Sequence, residues 1–204
     1  MLKIKLVIFD CYGVVITGGY PFTAVIISKK FKMDSKNVYE IMYTKYTNLA
    51  AVRKITQKSA WEKAVEELNL PITAKELKQI HYATFKLNKK IISLVKSLQK
   101  QRIGTLLLSK NTRSQLHDVN VMIPEIKKTF GKNIINTWEL NLPKASKETI
   151  NFICKKFNVK PTEILYIDDQ TSNLVEPKKM GVKTIFYENL WQVMGEVQKE
   201  ISII

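Results

Sequence analysis

Residues 4–15 read Ile4-Lys5-Leu6-Val7-Ile8-Phe9-Asp10-Cys11-Tyr12-Gly13-Val14-Val15, an apolar run that stops at one carboxylate and then turns at a glycine. A near-continuous apolar run rich in β-branched residues is what a strand covered on both faces requires, as in a parallel sheet. Asp10 interrupts the run before it reaches membrane-spanning length, and no small-residue cleavage site follows. The opening stretch is therefore expected to be neither a signal peptide nor a membrane span. Outward from it lie three more runs of the same kind, at 103–108, 164–167 and 182–187, and a weaker fifth at 134–138. Helical patterns separate them, at 88–101, 113–130, 147–157 and from Leu190 to the C-terminus. Thr112-Arg113-Ser114-Gln115 has the spacing of a capping box, which starts the second of these helices directly after a strand. Strand and helix in alternation predict a doubly wound α/β parallel-sheet core with right-handed crossovers.

Residues 21–85 break the alternation. They read as helices at 22–31, 37–52 and 57–68 and a fourth after Thr73, where Thr73-Ala74-Lys75-Glu76 follows the breaker Pro71. Tyr39, Ile41, Met42, Tyr46 and Leu49 can share one apolar face, and Trp61, Ala64, Val65 and Leu68 another, as bundle core would. Gly18-Gly19 at the entry offers flexible backbone for a hinge. The expected layout is a core of residues 1–20 and 86–204 carrying a four-helix cap at 21–85.

The chain has 204 residues, enough for one domain with a large insertion and a real core. Its two cysteines, Cys11 and Cys154, exclude a disulfide framework and a cysteine zinc site, which points to a reducing, cytoplasmic compartment. The formal charge is +15, but only Arg53, Arg102 and Arg113 are arginines, and the lysines are spread along the chain. Bidentate phosphate and base contacts favour arginine, and no nucleic-acid-binding motif is present, so a lysine-rich solvated surface is the expected reading rather than a nucleic-acid partner. The glycines form no P-loop.

In open parallel sheets, ligands bind at the carboxyl ends of the strands. Here the strand ends carry Asp10, Ser109 and the pair Asp168-Asp169, with Lys144 just before a core helix. One strand-end aspartate is most often only a turn former or helix cap. Three carboxylates, a hydroxyl and an ammonium meeting on one rim are hard to explain that way.

In that order, these residues resemble the haloacid dehalogenase-like (HAD) hydrolase superfamily, in the branch with a helical cap inserted after the first motif. Leu6–Val15 resembles the first motif, a strand followed by D-x-D-G-[TV]. Leu106-Leu107-Leu108-Ser109 resembles the second, a strand ending in Ser or Thr. Lys144 falls where the family has its lysine, with Lys147 as a competitor, and Ile164–Asp169 with Asn173 resembles the D-D-x-x-x-N motif. The resemblance implies a Rossmann-like core and a phosphoryl-transfer site for a small phosphorylated metabolite. In that reading Asp10, Tyr12, Ser109 and Lys144 are the catalytic candidates. Asp10 attacks phosphorus and splits hydrolysis into two steps. Mg²⁺ is bound by Asp10, Asp169 and the backbone carbonyl of Tyr12, with Asp168 acting through water. Lys144, the Ser109 hydroxyl and the amides of Cys11, Tyr12 and Lys110 meet the phosphoryl oxygens. Bland alternatives stand beside these roles: Lys110 as a surface residue, Asn173 as a helix cap with Pro177 in the first turn, Trp138 as packing, and His81 and His117 as structural residues.

Tyr12 departs from the phosphatase pattern, whose second aspartate is the general acid and base. That contribution is worth ~10²–10⁴-fold, and a tyrosine with a pKa of about 10 is a poor base. A tyrosine at this place is also what the family's 2-haloacid dehalogenases carry. Those enzymes have an arginine about thirty residues after the nucleophile and Ser-Asn in the fourth motif. Here no arginine precedes Arg53, and the fourth motif is Asp168-Asp169. Mg²⁺-dependent phosphate hydrolysis, slowed by Tyr12, is the leading expectation. A metal-independent 2-haloacid dehalogenase is the alternative, and a catalytically impaired phosphate-binding protein the third.

Overall fold

The computed structural model describes residues 4–202. In chain order its elements are β1 (Leu6–Asp10), β2 (Ile16–Thr17), α1 (Tyr20–Phe31), α2 (Ser35–Tyr39), a π-helical segment (Glu40–Thr47), α3 (Asn48–Ala51), α4 (Gln57–Glu67) and α5 (Ala74–Ala83). There follow β3 (Lys86–Leu87), α6 (Lys89–Lys100), β4 (Gly104–Ser109), α7 (Arg113–Met122), α8 (Pro124–Phe130), β5 (Ile134–Asn136) and α9 (Thr137–Leu140). The chain closes with α10 (Lys147–Phe157), a short 3₁₀ turn (Pro161–Glu163), β6 (Ile164–Asp168), α11 (Ser172–Lys179), β7 (Lys183–Phe186) and α12 (Leu190–Ser202).

The five core strands form one parallel sheet in the order β5-β4-β1-β6-β7. The opening run is the central strand, and the chain winds outward from it in both directions. Val7 and Phe9 join one apolar cluster, with Ile91 and Val95 of α6 and Val193 of α12. Leu6 and Ile8 join the other, with Ile150 and Ile153 of α10 and Leu174 of α11. All four strand residues are at most 1% exposed. At about 1.5–3 kcal/mol per fully buried side chain, such burial on both faces holds the central strand firmly in the sheet.

Several expected boundaries move, each for a local reason. The helix expected over 113–130 breaks at Ile123 (φ −126°, ψ 71°), because Pro124 disfavours helical geometry in the residue before it. The fifth strand ends at Asn136, whose side chain accepts the Trp138 N–H and starts a helical turn in place of further strand. Asp34 caps the helical run that begins at Ser35 by accepting the Asn37 N–H, earlier than the expected start at Asn37. Pro177 lies inside α11, not in its first turn. Of the two capping boxes, Thr73 and Glu76 form theirs reciprocally. Thr112 accepts the Gln115 N–H, but the Gln115 side chain is turned elsewhere.

Helices α1, α2, α4 and α5 and the π segment pack around a separate apolar cluster that includes Ile27, Val38, Met42, Trp61 and Leu77. His81, fully buried, belongs to this region: Nδ1 pairs with Thr23 Oγ1 at 2.9 Å and its ring lies 4.2 Å from that of Tyr20. Burial pulls its pKa down to about 3, so it is neutral at pH 7. The chain enters and leaves this helical insertion through an antiparallel ribbon of β2 and β3. Gly18 does more there than supply flexibility. Its φ is +99°, and a Cβ would lie 2.1 Å from the Thr84 carbonyl oxygen, so only glycine lets the entering and leaving segments approach this closely. No described helix is long and apolar enough to cross a membrane.

Candidate active site

The carboxyl ends of β1, β4 and β6 deliver Asp10, Ser109 and Asp168 to one rim, and Asp169 follows Asp168. Lys144 enters from the loop before α10. It is 7% exposed, and its Nζ donates to Asp10 Oδ1 at 2.5 Å and to Asp168 Oδ2 at 2.8 Å. Lys147 is exposed in the first turn of α10, away from the carboxylates. Of the two lysines, the structure brings Lys144 to the rim.

The three aspartates sit in different surroundings. Asp168 is held on every side: Tyr166 OH donates to Oδ2 at 2.5 Å, the Gln170 N–H donates to Oδ1 at 2.9 Å, and Asn173 Nδ2 reaches both oxygens. Asn173 thus orients a carboxylate and does not cap α11. Asp10 Oδ1 also accepts the Cys11 N–H at 2.6 Å. Asp169 Oδ1 is buried with no hydrogen-bond partner among the described residues. One oxygen from each of the three carboxylates lies within 4.8 Å of the others.

Their electrostatics follow from burial and crowding. Desolvation, reinforced by Asp168 and Asp169 and opposed by Lys144, pushes Asp10 well above the usual carboxylate range. Burial likewise raises Asp169. Burial works against the Lys144 ammonium, but Asp10, Tyr166 and Asp168 outweigh it and keep its pKa well above an ordinary lysine's. Lys144 is therefore held as a cation, one ammonium beside three crowded carboxyl groups.

Gly13 completes the turn after Asp10, with φ +94°. A Cβ there would lie 2.0 Å from Asp169 Oδ2, so the glycine makes room for the third carboxylate. Tyr12 turns its ring edge-on to Phe85, 5.3 Å between centroids, and its hydroxyl is buried without a partner. Burial raises its pKa well above the usual tyrosine value, which removes it as a base at neutral pH. Ser109 is fully buried at the rim, its Oγ accepting from Asn111 Nδ2 at 3.0 Å. The Cys11 thiol is buried and its pKa is pushed up by desolvation, leaving the backbone amide as its polar contribution. Lys110 is exposed and has no ion pair among the described residues.

Residues of the helical insertion and of the rim together line a cavity of about 170 Å³. Tyr20, Tyr39, Tyr43 and Thr47 face Asp10 and Asp169 across it. Tyr43 packs 5.1 Å from Tyr20 and 5.3 Å from Tyr39, and Gln170 donates to its hydroxyl. Tyr39, expected on an apolar core face with Ile41, Met42 and Tyr46, packs with them against the insertion's apolar cluster and also lines the cavity. The residues expected as one helix at 37–52 wind in their middle as a π-helix, which shifts side chains off the α-helical stripe and is frequent at functional sites. No sequence signal marked Tyr20, Tyr43, Thr47 or Gln115 as site residues, because each arrives through tertiary packing. Trp138, expected as packing, ties insertion to core: its Nε1–H donates to Ala50 O at 3.2 Å, and its ring lies 4.3 Å from the Arg53 guanidinium. His117 is exposed on α7.

A family model described as haloacid dehalogenase-like hydrolase matches residues 4–180. The chain belongs to this family. A HAD family enzyme of Bacteroides thetaiotaomicron, solved in complex with magnesium and inorganic phosphate, superposes with a TM-score of 0.74 at 17% identity, over 94% of this chain and 99% of that one. The L-2-haloacid dehalogenase of Xanthobacter autotrophicus superposes with a TM-score of 0.68 at 14% identity, over 99% and 84%. At these identities the likenesses establish the HAD fold alone. Mouse (Mus musculus) bifunctional epoxide hydrolase 2 is 23% identical over 116 residues, which are 55% of this chain and about a fifth (21%) of that protein's length.

Proposed function

We propose that this HAD hydrolase is a Mg²⁺-dependent phosphatase of small phosphorylated metabolites, with residues 21–85 acting as a cap over the site. The observation that carries the reading is the third carboxylate: Asp169 Oδ1 is buried beside Asp10 and Asp168 and unpartnered among the described residues. Three crowded carboxylates with one ammonium form a hard-oxygen donor set suited to a divalent cation. Asp10, Asp169 and the Tyr12 carbonyl would hold the ion, which when bound offsets the charge of an incoming phosphoryl group.

The side chains divide the remaining work. No donor among the described residues is bonded to Asp10 Oδ2, so this oxygen is available for in-line attack on phosphorus. The phosphorus–oxygen bond to the leaving group breaks as the aspartyl-phosphate forms. Water then attacks the phosphorus and restores the Asp10 carboxylate, releasing inorganic phosphate. Lys144 neutralises the transferring group, and the Ser109 hydroxyl and the amides of Tyr12 and Lys110 donate to its oxygens. Tyr20, Tyr39 and Tyr43 line the cavity, and 170 Å³ admits only a small leaving group.

The assay is phosphate release from 4-nitrophenyl phosphate in millimolar Mg²⁺ and in chelator. Turnover is expected to fall at least about a hundredfold in chelator and to return on adding Mg²⁺. Tyr12 keeps the dehalogenase reading in view, and that reading requires chloride release from 2-chloropropionate with chelator present. Phosphate binding without any turnover would instead support the impaired binding protein. Tyr12→Asp tests the missing acid and base directly: alkyl phosphate turnover is expected to rise at least about tenfold, the low end of general acid–base effects. No gain, in a variant that melts normally, would show that the proton comes from elsewhere.

A further inference from the structure

Beside the site cavity lies a second, larger one of about 470 Å³, and both are lined by Ala51, Lys110, Lys144 and Asn173. No aspartate or glutamate lines the second cavity. Lys144 is already committed to Asp10 and Asp168. Two other cations stand on the wall. Lys110 has no carboxylate partner among the described residues, and partial desolvation together with the Lys144 charge lowers its pKa. Arg53 forms no salt bridge among the described residues: its direct contacts are the carbonyl and the ring face of Trp138, and Glu139, whose carboxylate feels its charge, is already paired with Arg113. Arg113, also near that ring, is paired with Glu139. Arg53 thus brings a guanidinium with no carboxylate bonded to it to a cavity that adjoins the nucleophile.

The backbone at Arg53 ends a helix. The Arg53 N–H donates to Ala50 O and the Lys54 N–H to Leu49 O, the bond pair of a Schellman helix end. That motif puts Arg53 at φ +62°, where glycine is the usual residue and a side chain costs about 1–2 kcal/mol. The left-handed turn aims the side chain off the end of α3 and across to the core.

We propose that this cavity is a subsite for a second anionic group, so that the preferred substrates are small phosphate monoesters bearing a carboxylate or a second phosphate. The inference rests on the phosphatase reading and names its substrate class. Arg53 binds the distal anion with the guanidinium donors left free by Trp138, and Lys110 stands between the two anionic groups.

Two matched pairs test it: 3-phosphoglycerate against glycerol 3-phosphate, and propane-1,3-diol bisphosphate against its monophosphate. In at least one pair, wild-type kcat/KM should favour the doubly anionic member by about tenfold or more, mainly through KM. The pair with the larger ratio tells carboxylate from phosphate. Arg53→Gln should reduce that ratio to within about threefold, and Arg53→Lys should keep most of it. Ratios near one in both pairs for the wild type, or a ratio unchanged in Arg53→Gln protein that melts normally, would overturn the subsite. If no phosphate ester is turned over, the phosphatase reading fails separately, and calorimetry on the same pairs decides the subsite. Tighter wild-type binding of a doubly anionic member, lost in Arg53→Gln, upholds it, and equal binding overturns it.

Discussion

Asp10→Asn protein is expected to release phosphate from an aryl phosphate about 10⁴-fold more slowly than the wild type, or not at all. The substitution keeps the shape of the side chain and an acceptor for Lys144 but removes the oxygen anion that must bond to phosphorus. Loss of activity here is not loss of fold. Burial raises the Asp10 pKa in the folded protein, so the folded state binds this proton more tightly than the unfolded chain. The stabilisation from that proton is present below the unfolded carboxylate pKa and fades as pH rises through the higher folded value. A neutral asparagine removes this dependence. In chelator at pH 7, Asp10→Asn should therefore melt no lower than the wild type, and its melting temperature should vary less with pH. Residual turnover within tenfold of the wild type would remove Asp10 from the role of nucleophile.

Lys144→Met should impair both activity and folding. Its ammonium is the bridge between Asp10 and Asp168, and both carboxylates are at most 4% exposed. Taking one partner from a buried ionic network leaves uncompensated charge and costs about 3–5 kcal/mol. Denaturant unfolding in chelator should show a loss of this size, partly restored by Mg²⁺. Turnover in Mg²⁺ should fall about 10²–10³-fold, in kcat more than in KM, because the positive charge acts on the transferring group. Lys147→Met is the control: this neighbour is exposed, and a surface substitution should stay within about 0.5 kcal/mol. Equal effects from the two variants would mean that the buried bridge contributes nothing specific.

The core was readable because its signals are local. Four apolar runs ended within one or two residues of their strands, and helix α10 began and ended where the pattern from Lys147 to Phe157 did. The rim was readable for the same reason: Asp10, Ser109 and Asp168 are each the last residue of a strand, and parallel strands in one sheet bring their carboxyl ends together. Errors gathered where one residue overrides a periodic pattern, as Pro124 does within 113–130 and Asn136 does at the end of β5. The π-helical middle of residues 37–52 was also hidden, because an i to i+5 ladder leaves no pattern that a helix of 3.6 residues per turn would not also show.

By itself, the order of residues determined the sheet, the acidic rim and the family, because strand burial and strand-end chemistry are written within a few neighbouring positions. Only the tertiary structure decided which lysine reaches Asp10, that Asn173 holds Asp168, that three tyrosines line the cavity, and that Arg53 faces the core over Trp138. Those contacts join residues up to 134 positions apart. Their geometry depends on how two separately packed clusters meet, and no local pattern encodes that meeting.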